Sequence, residues 1–80
     1  MKRLEVVSID RIGLIGEITN VIRRMNGNII KHTANVATDS SGVMISRFIA
    51  DIDINEADVR SVVRRMKKIK NVRCVNITDI

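Results

Sequence analysis

The sequence predicts an α+β ferredoxin-like sandwich of order β-α-β-β-α-β. Two helices should lie on one face of a four-stranded antiparallel sheet with strand order 4-1-3-2. Three observations predict it. The apolar residues switch twice from the alternation of a strand to the three-and-four spacing of a helix. The two strand–helix–strand units are joined by a short glycine turn, and such units close with right-handed crossovers. With 80 residues and no proline or low-complexity stretch, the chain has room for one domain, spanning 1–80.

Each element can be justified in turn. "RLEVVSI" (Arg3 to Ile9) is rich in β-branched residues and is ended by Asp10. Leu14, Ile15, Ile18, Val21, Ile22 and Met25 then form the apolar stripe of a helix. Asn26-Gly27 ends it, and Gly27 is expected to take the left-handed C′ position. "NIIKHTANVAT" (Asn28 to Thr38) is a long strand, "DSSG" (Asp39 to Gly42) a hairpin turn, and "VMISRFIADI" (Val43 to Ile52) the return strand. Asn55 is placed to cap a second helix, with Glu56 and Asp58 in its first turn, where negative charge is favourable. Val59, Val62, Val63, Met66 and Ile69 are its stripe, Asn71 breaks it, and "VRCVNIT" (Val72 to Thr78) is the last strand.

Parity along the strands sorts the sheet faces. If Phe48, Ala50 and Ile52 point at the helices, then Val43, Ile45, Arg47, Ile49 and Asp51 point away, joined by Val7 and Ile9. A solvated face should be mostly polar, and this one mixes aliphatics with charge. The second strand falls at the sheet edge and carries Lys31 as its only charge, a poorly guarded edge. Both features favour a homodimer or a higher oligomer.

Composition narrows the function classes. The chain is 45% hydrophobic with one aromatic, Phe48, so its core must be aliphatic. A lone Cys74 excludes a disulfide framework or a thiolate metal site within one chain. With no signal-peptide layout and no membrane span, a reduced, cytoplasmic setting is expected. The net charge of +5 sits largely in Arg23-Arg24 and in the stretch from Val59 to Arg73, a solvated helix face or a docking surface. No Ser/His/Asp set, phosphate loop or paired carboxylates at helical spacing occurs, so neither catalysis nor a cofactor is expected. His32 reads as a sheet-edge residue, Cys74 as a small packed one, and Met25, Met44 and Met66 as core filler; no metal site is expected.

The sharp turn into the first helix is the main candidate site. Gly13 either merely permits the reversal or serves a ligand. In the second case the amides around Leu14 to Gly16 point unpaired into the loop and can hold a carboxylate. Gly13 and Gly16 would let a ligand reach the backbone, and Asp10 on the opposite lip could meet an ammonium group.

"DRIGLIGEITNVIRRMNGNI" (Asp10 to Ile29) resembles the signature of ACT domains, small βαββαβ regulatory modules. Within that family it is most similar to the module at the C-terminal end of bifunctional guanosine tetraphosphate synthetase/hydrolase enzymes of the stringent response. The resemblance implies a non-catalytic regulatory domain. It would bind a small effector, foremost an amino acid, at a dimer interface and control an enzyme domain in the same or another chain. The family's loop glycine falls on Gly13, its ligand contacts on Ile12, Leu14 and Ile15, and its Asn contacting ligand across the dimer on Asn28. Where amino-acid-binding members carry an Asn in the turn, this chain has Asp10. An ionised Asp only accepts hydrogen bonds whereas Asn also donates. The alternative is therefore a ligand-free dimerisation module, or one that docks on a protein or the ribosome. An RNA-recognition module has the same element order but stacks bases on aromatics of its two central strands. Here the first strand has none and the third has only Phe48, which by parity faces the helices, so nucleic-acid binding through the sheet is not expected.

Overall fold

The structure is a computed structural model describing all 80 residues. Its elements follow the predicted order: β1 (Lys2–Ile9), α1 (Leu14–Arg24), β2 (Asn28–Thr38), β3 (Met44–Asp53), α2 (Val59–Lys67) and β4 (Val72–Asp79). The sheet runs β2-β3-β1-β4, the predicted order read from its other edge, and every pairing is antiparallel. Both crossovers place their helices on one face, as a ferredoxin-like sandwich requires.

Register explains which side chains meet. Leu4 pairs with Ala50 and Val6 with Phe48, which sends all four towards the helices. With Ile52 they pack against Leu14, Ile18 and Ile22 of α1 and Val62 and Met66 of α2 to form the buried core. Apart from Ala50, each such side chain contributes about 1.5–3 kcal/mol by leaving water. The other parity puts Glu5, Val7 and Ile9 beside Ile49, Arg47 and Ile45 on the open face. The four aliphatics there are half-buried, as the predicted mixed face requires.

The hydrophobic stripes overstate the core at their margins. Ile15 is 40% exposed, because α1 turns it past the edge of its contact with the sheet. Met44, expected as core filler, is 54% exposed at the start of β3, beyond the cover of either helix. Cys74, expected to be packed, is exposed: it pairs with Val7 on the open face, which has no second layer.

The helix ends also differ in detail. Asn26, not Gly27, takes the left-handed position after α1, with φ 58°. Its amide donates to the Arg23 carbonyl (3.0 Å) and that of Gly27 to the Ile22 carbonyl (2.9 Å), closing a Schellman motif. Gly27 is required for space. A Cβ there would lie 2.5 Å from Cγ2 of Ile54, 2.8 Å from Cγ2 of Ile22 and 3.0 Å from the Ile22 carbonyl oxygen. Gly27→Ala should therefore destabilise the domain by about 1–3 kcal/mol, as overpacking does; a urea midpoint equal to wild type would contradict this. Asn55 stands at the N-cap of a single 3₁₀ turn (Glu56–Asp58) that leads into α2, and its side chain makes no capping bond. The predicted DSSG turn is held by Asp39, whose Oδ1 accepts from the amides of Ser41 (2.9 Å) and Val43 (3.0 Å).

Candidate functional site

The turn between β1 and α1 is built by bonds that converge on it from three sides. The Asp10 amide donates to the Met44 carbonyl (2.9 Å), continuing the β1–β3 ladder to its last rung. On the β4 side, the Ile9 amide (3.1 Å) and the buried Ser8 hydroxyl (2.9 Å) both donate to the Asn71 carbonyl. A bulge where β1 meets β4, between Val7 and Ser8, brings Ser8 to that corner. Within the turn the Leu14 amide donates to the Arg11 carbonyl (3.3 Å) and that of Glu17 to the Gly13 carbonyl (3.0 Å).

Gly13 occupies the N-cap position at φ 84°, ψ −3°, a left-handed conformation that glycine adopts without penalty. A Cβ added at Gly13 or Gly16 would meet nothing within 4 Å, so the turn is an open ledge. The amides of Ile15 and Gly16 have no partner in the chain and face that ledge at the positive end of the helix. The Asp10 carboxylate makes no hydrogen bond or ion pair, so it too is uncommitted.

The remaining expected residues are distributed unevenly. Ile12 stands fully exposed at the tip, and Ile15 is partly exposed beside it. Leu14 is 2% exposed, its side chain being part of the core. Asn28 is exposed but lies at the opposite end of the sheet: it pairs with Asp53, whereas Asp10 bonds to Met44. The length of β3 separates them, roughly 30 Å at strand rise. Within one chain Asn28 cannot reach the turn.

Arg11 is the residue that sequence reasoning left without a role. Its guanidinium pairs with the Glu17 carboxylate and donates to the carbonyls of Ile12 and Lys70, each at 3.5 Å, while Nε is buried without a partner. It thereby spans the start of α1 and the α2–β4 corner. The Glu17 partner, six residues on in the first helical turn, was the one local clue.

A second charged cluster lies on the open sheet face. Asp51, 8% exposed, is gripped by Arg3 through Nε (2.9 Å) and Nη2 (3.3 Å), with Lys31 Nζ at 3.6 Å. The Arg3 hydrogen bonds hold its carboxyl below the usual carboxylate range. The Ser41 hydroxyl does the same to Asp39, and Lys2 to Asp79. A carboxylate whose folded pKa is depressed adds stability above its unfolded pKa and loses it as pH falls through the folded value. Stability should therefore drop as pH falls below about 4. In Asp51→Asn that drop should shrink without vanishing, since Asp39 and Asp79 remain; urea titrations at pH 6 and pH 3 measure it.

No family model and no curated protein matches the sequence. Solved structures do. The chain superimposes over 96% of its length on 95% of the ACT domain of GTP pyrophosphokinase from Chlorobium tepidum, with a TM-score of 0.68 and 20% identity. The chain has the ACT-domain fold. It also matches formyltetrahydrofolate deformylase from Pseudomonas syringae over 98% of itself and 26% of that chain (TM-score 0.65, 21% identity). Homoserine dehydrogenase from Thiobacillus denitrificans matches 95% of this chain over 16% of its own (TM-score 0.69, 13% identity). At these identities the likeness is one of fold. This ACT fold thus occurs as a small part of long enzyme chains. No helix of this chain is long and apolar enough to cross a membrane.

Proposed function

We propose that the chain is a non-catalytic ACT regulatory module that binds an α-amino acid between two copies and controls an enzyme domain in the same or another chain. The observation that carries this reading is the uncommitted chemistry of the ledge. Two free amides at a helix N-terminus suit a carboxylate, worth about 0.3–2 kcal/mol, and the free Asp10 carboxylate across the turn suits an ammonium. An α-amino acid presents both groups on one carbon.

The position of Asn28 calls for a second copy. β2 is a sheet edge whose residues from Ile30 to Thr38 are all exposed, including Ile30 and Val36, with Lys31 its only charge. Antiparallel pairing of two β2 strands about a two-fold axis near Thr33 would set Asn28 of one copy opposite Thr38 of the other. Thr38 pairs with Met44, the residue bonded to Asp10. Asn28 would thus move to the end of the sheet that holds its neighbour's turn, three strand spacings or roughly 14 Å across from Asp10. In a Cys74→Ser background, Thr33→Cys should form an intermolecular disulfide under mild oxidation, whereas Cys at Asn76 of β4 should not. Equal cross-linking at both positions would remove this arrangement.

Calorimetry of the intact protein against the twenty amino acids tests the ligand. Binding of one or a few is expected, with a stoichiometry of one per turn. If none gives heat while the Thr33 cross-link forms, the chain is instead a ligand-free dimerisation module.

A further inference from the structure

We propose that the flank of α2 formed by Val59 and Val63 with Arg60, Arg64, Lys67 and Lys68 docks an acidic amphipathic helix. These six residues line a shallow trough of about 490 Å³ on the outside of the domain. It shares no residue with the turn or with the β2 edge, so it stands or falls apart from the proposed ligand site.

The helical spacing sets the chemistry of the trough. Val62 and Met66 take the inward face of α2 and are fully buried. Val59 and Val63, one turn apart, are only half-covered and form an apolar strip next to that face. The four cations lie along its outer border. None is in an ion pair: the six salt bridges of the molecule use Lys2, Arg3, Arg11, Lys31 and Arg47 as their cations. Like charges three and four residues apart weaken a helix. Favourable interaction with the helix dipole accounts for Lys67 and Lys68 at its C-terminal end. It does not account for Arg60, the second residue of α2, where positive charge opposes the dipole. Arg60 and the like-charge spacing thus work against the helix's own stability, and an anionic partner would relieve both.

The valines decide which anionic partner. A phosphate backbone would satisfy the cations and leave the apolar strip wet. Single-stranded nucleic acid would also need aromatic surface to stack on, and the one Phe is wholly buried. A helix with aliphatic residues at i and i+4 and acids along one border satisfies both halves: its aliphatics cover Val59 and Val63 while its carboxylates face the arginine and lysine row. This is helix recognition through spaced apolar anchors, with charge setting orientation. The contact is small, so binding should be weak and reversible.

The test uses the full 80-residue chain, labelled with ¹⁵N, and a synthetic helical peptide with three leucines at i, i+4 and i+7 and glutamates along one border. Shift changes are expected to centre on Val59 to Lys68. Affinity should fall at least tenfold in the double variant Arg60→Glu/Arg64→Glu. Both positions are exposed, and Glu suits the helix dipole at 60 and opposes it at 64, so the two effects offset and the variant should still fold, which its own ¹⁵N spectrum checks. A similar loss is expected in Val63→Asp, and when serines replace the peptide's leucines. The proposal is overturned if the serine peptide or an RNA oligonucleotide of equal charge binds as tightly. It is equally overturned if the shifts fall on the open sheet face, or if the double reversal leaves affinity unchanged.

Discussion

Phe48→Ala should leave the domain largely unfolded at room temperature. Phe48 is the bulkiest of the fully buried side chains, at 0% exposure. It sits opposite Val6 in the middle of the sheet and carries the His32 ring stacked on it at a centroid distance of 5.3 Å. Truncation to Ala removes the transfer energy of the ring and leaves a cavity that ladder bonds on both sides keep from collapsing. Such changes cost about 3–5 kcal/mol. A domain of this length holds about 4–12 kcal/mol in all, and one this small, with a thin core, lies towards the low end, where the loss consumes nearly all of it. Circular dichroism and urea titration measure the effect. Phe48→Leu keeps most of the volume and should stay folded. An alanine variant with a wild-type urea midpoint would mean that the core as described is not what holds the sheet and helices together.

Gly13→Val and Gly16→Ala should both abolish or sharply weaken amino-acid binding, with opposite effects on stability. Gly13 holds φ 84°, where a β-branched residue is a true outlier; the strain is about 1–2 kcal/mol. Valine therefore either shifts the turn or destabilises it, and its branches fill the ledge in front of the free amides. Gly16 lies within α1 and has no positive φ. Alanine there should raise helix stability by about 0.8–1.0 kcal/mol while its methyl group occupies the same ledge. Loss of calorimetric heat in Gly16→Ala, together with an increased urea midpoint, would separate a blocked site from a damaged fold. Unchanged binding in both variants would move the ligand away from this turn.

Much of this architecture was legible without coordinates. Element order follows from two changes of apolar period, because a chain must bury one face of each strand and one stripe of each helix. The bounds of β2 were read to the residue, since Gly27 and Asp39 stop the chain on either side. Parity assigned Phe48, Ala50 and Ile52 to the core, and Val7, Ile9, Ile45 and Ile49 to the open face. Periodicity reports direction, however, and not depth. That is why Ile15 and Met44 have an apolar residue's place in the pattern and yet remain exposed.

The sequence by itself determined the βαββαβ order, the sheet order and a glycine turn at the head of α1. Only the tertiary structure decided how that turn is held. Arg11 reaches the carbonyl of Lys70, and Ser8 that of Asn71, across separations of 59 and 63 residues that no local pattern encodes. It also decided that Gly27 is small because Ile54 packs onto it, and that Asn28 and Asp10 stand at opposite ends of the sheet. The physical reason is common to these cases. Local residues set backbone period and turn geometry through short-range sterics, whereas space, carbonyl partners and distances depend on which distant segments the fold brings alongside.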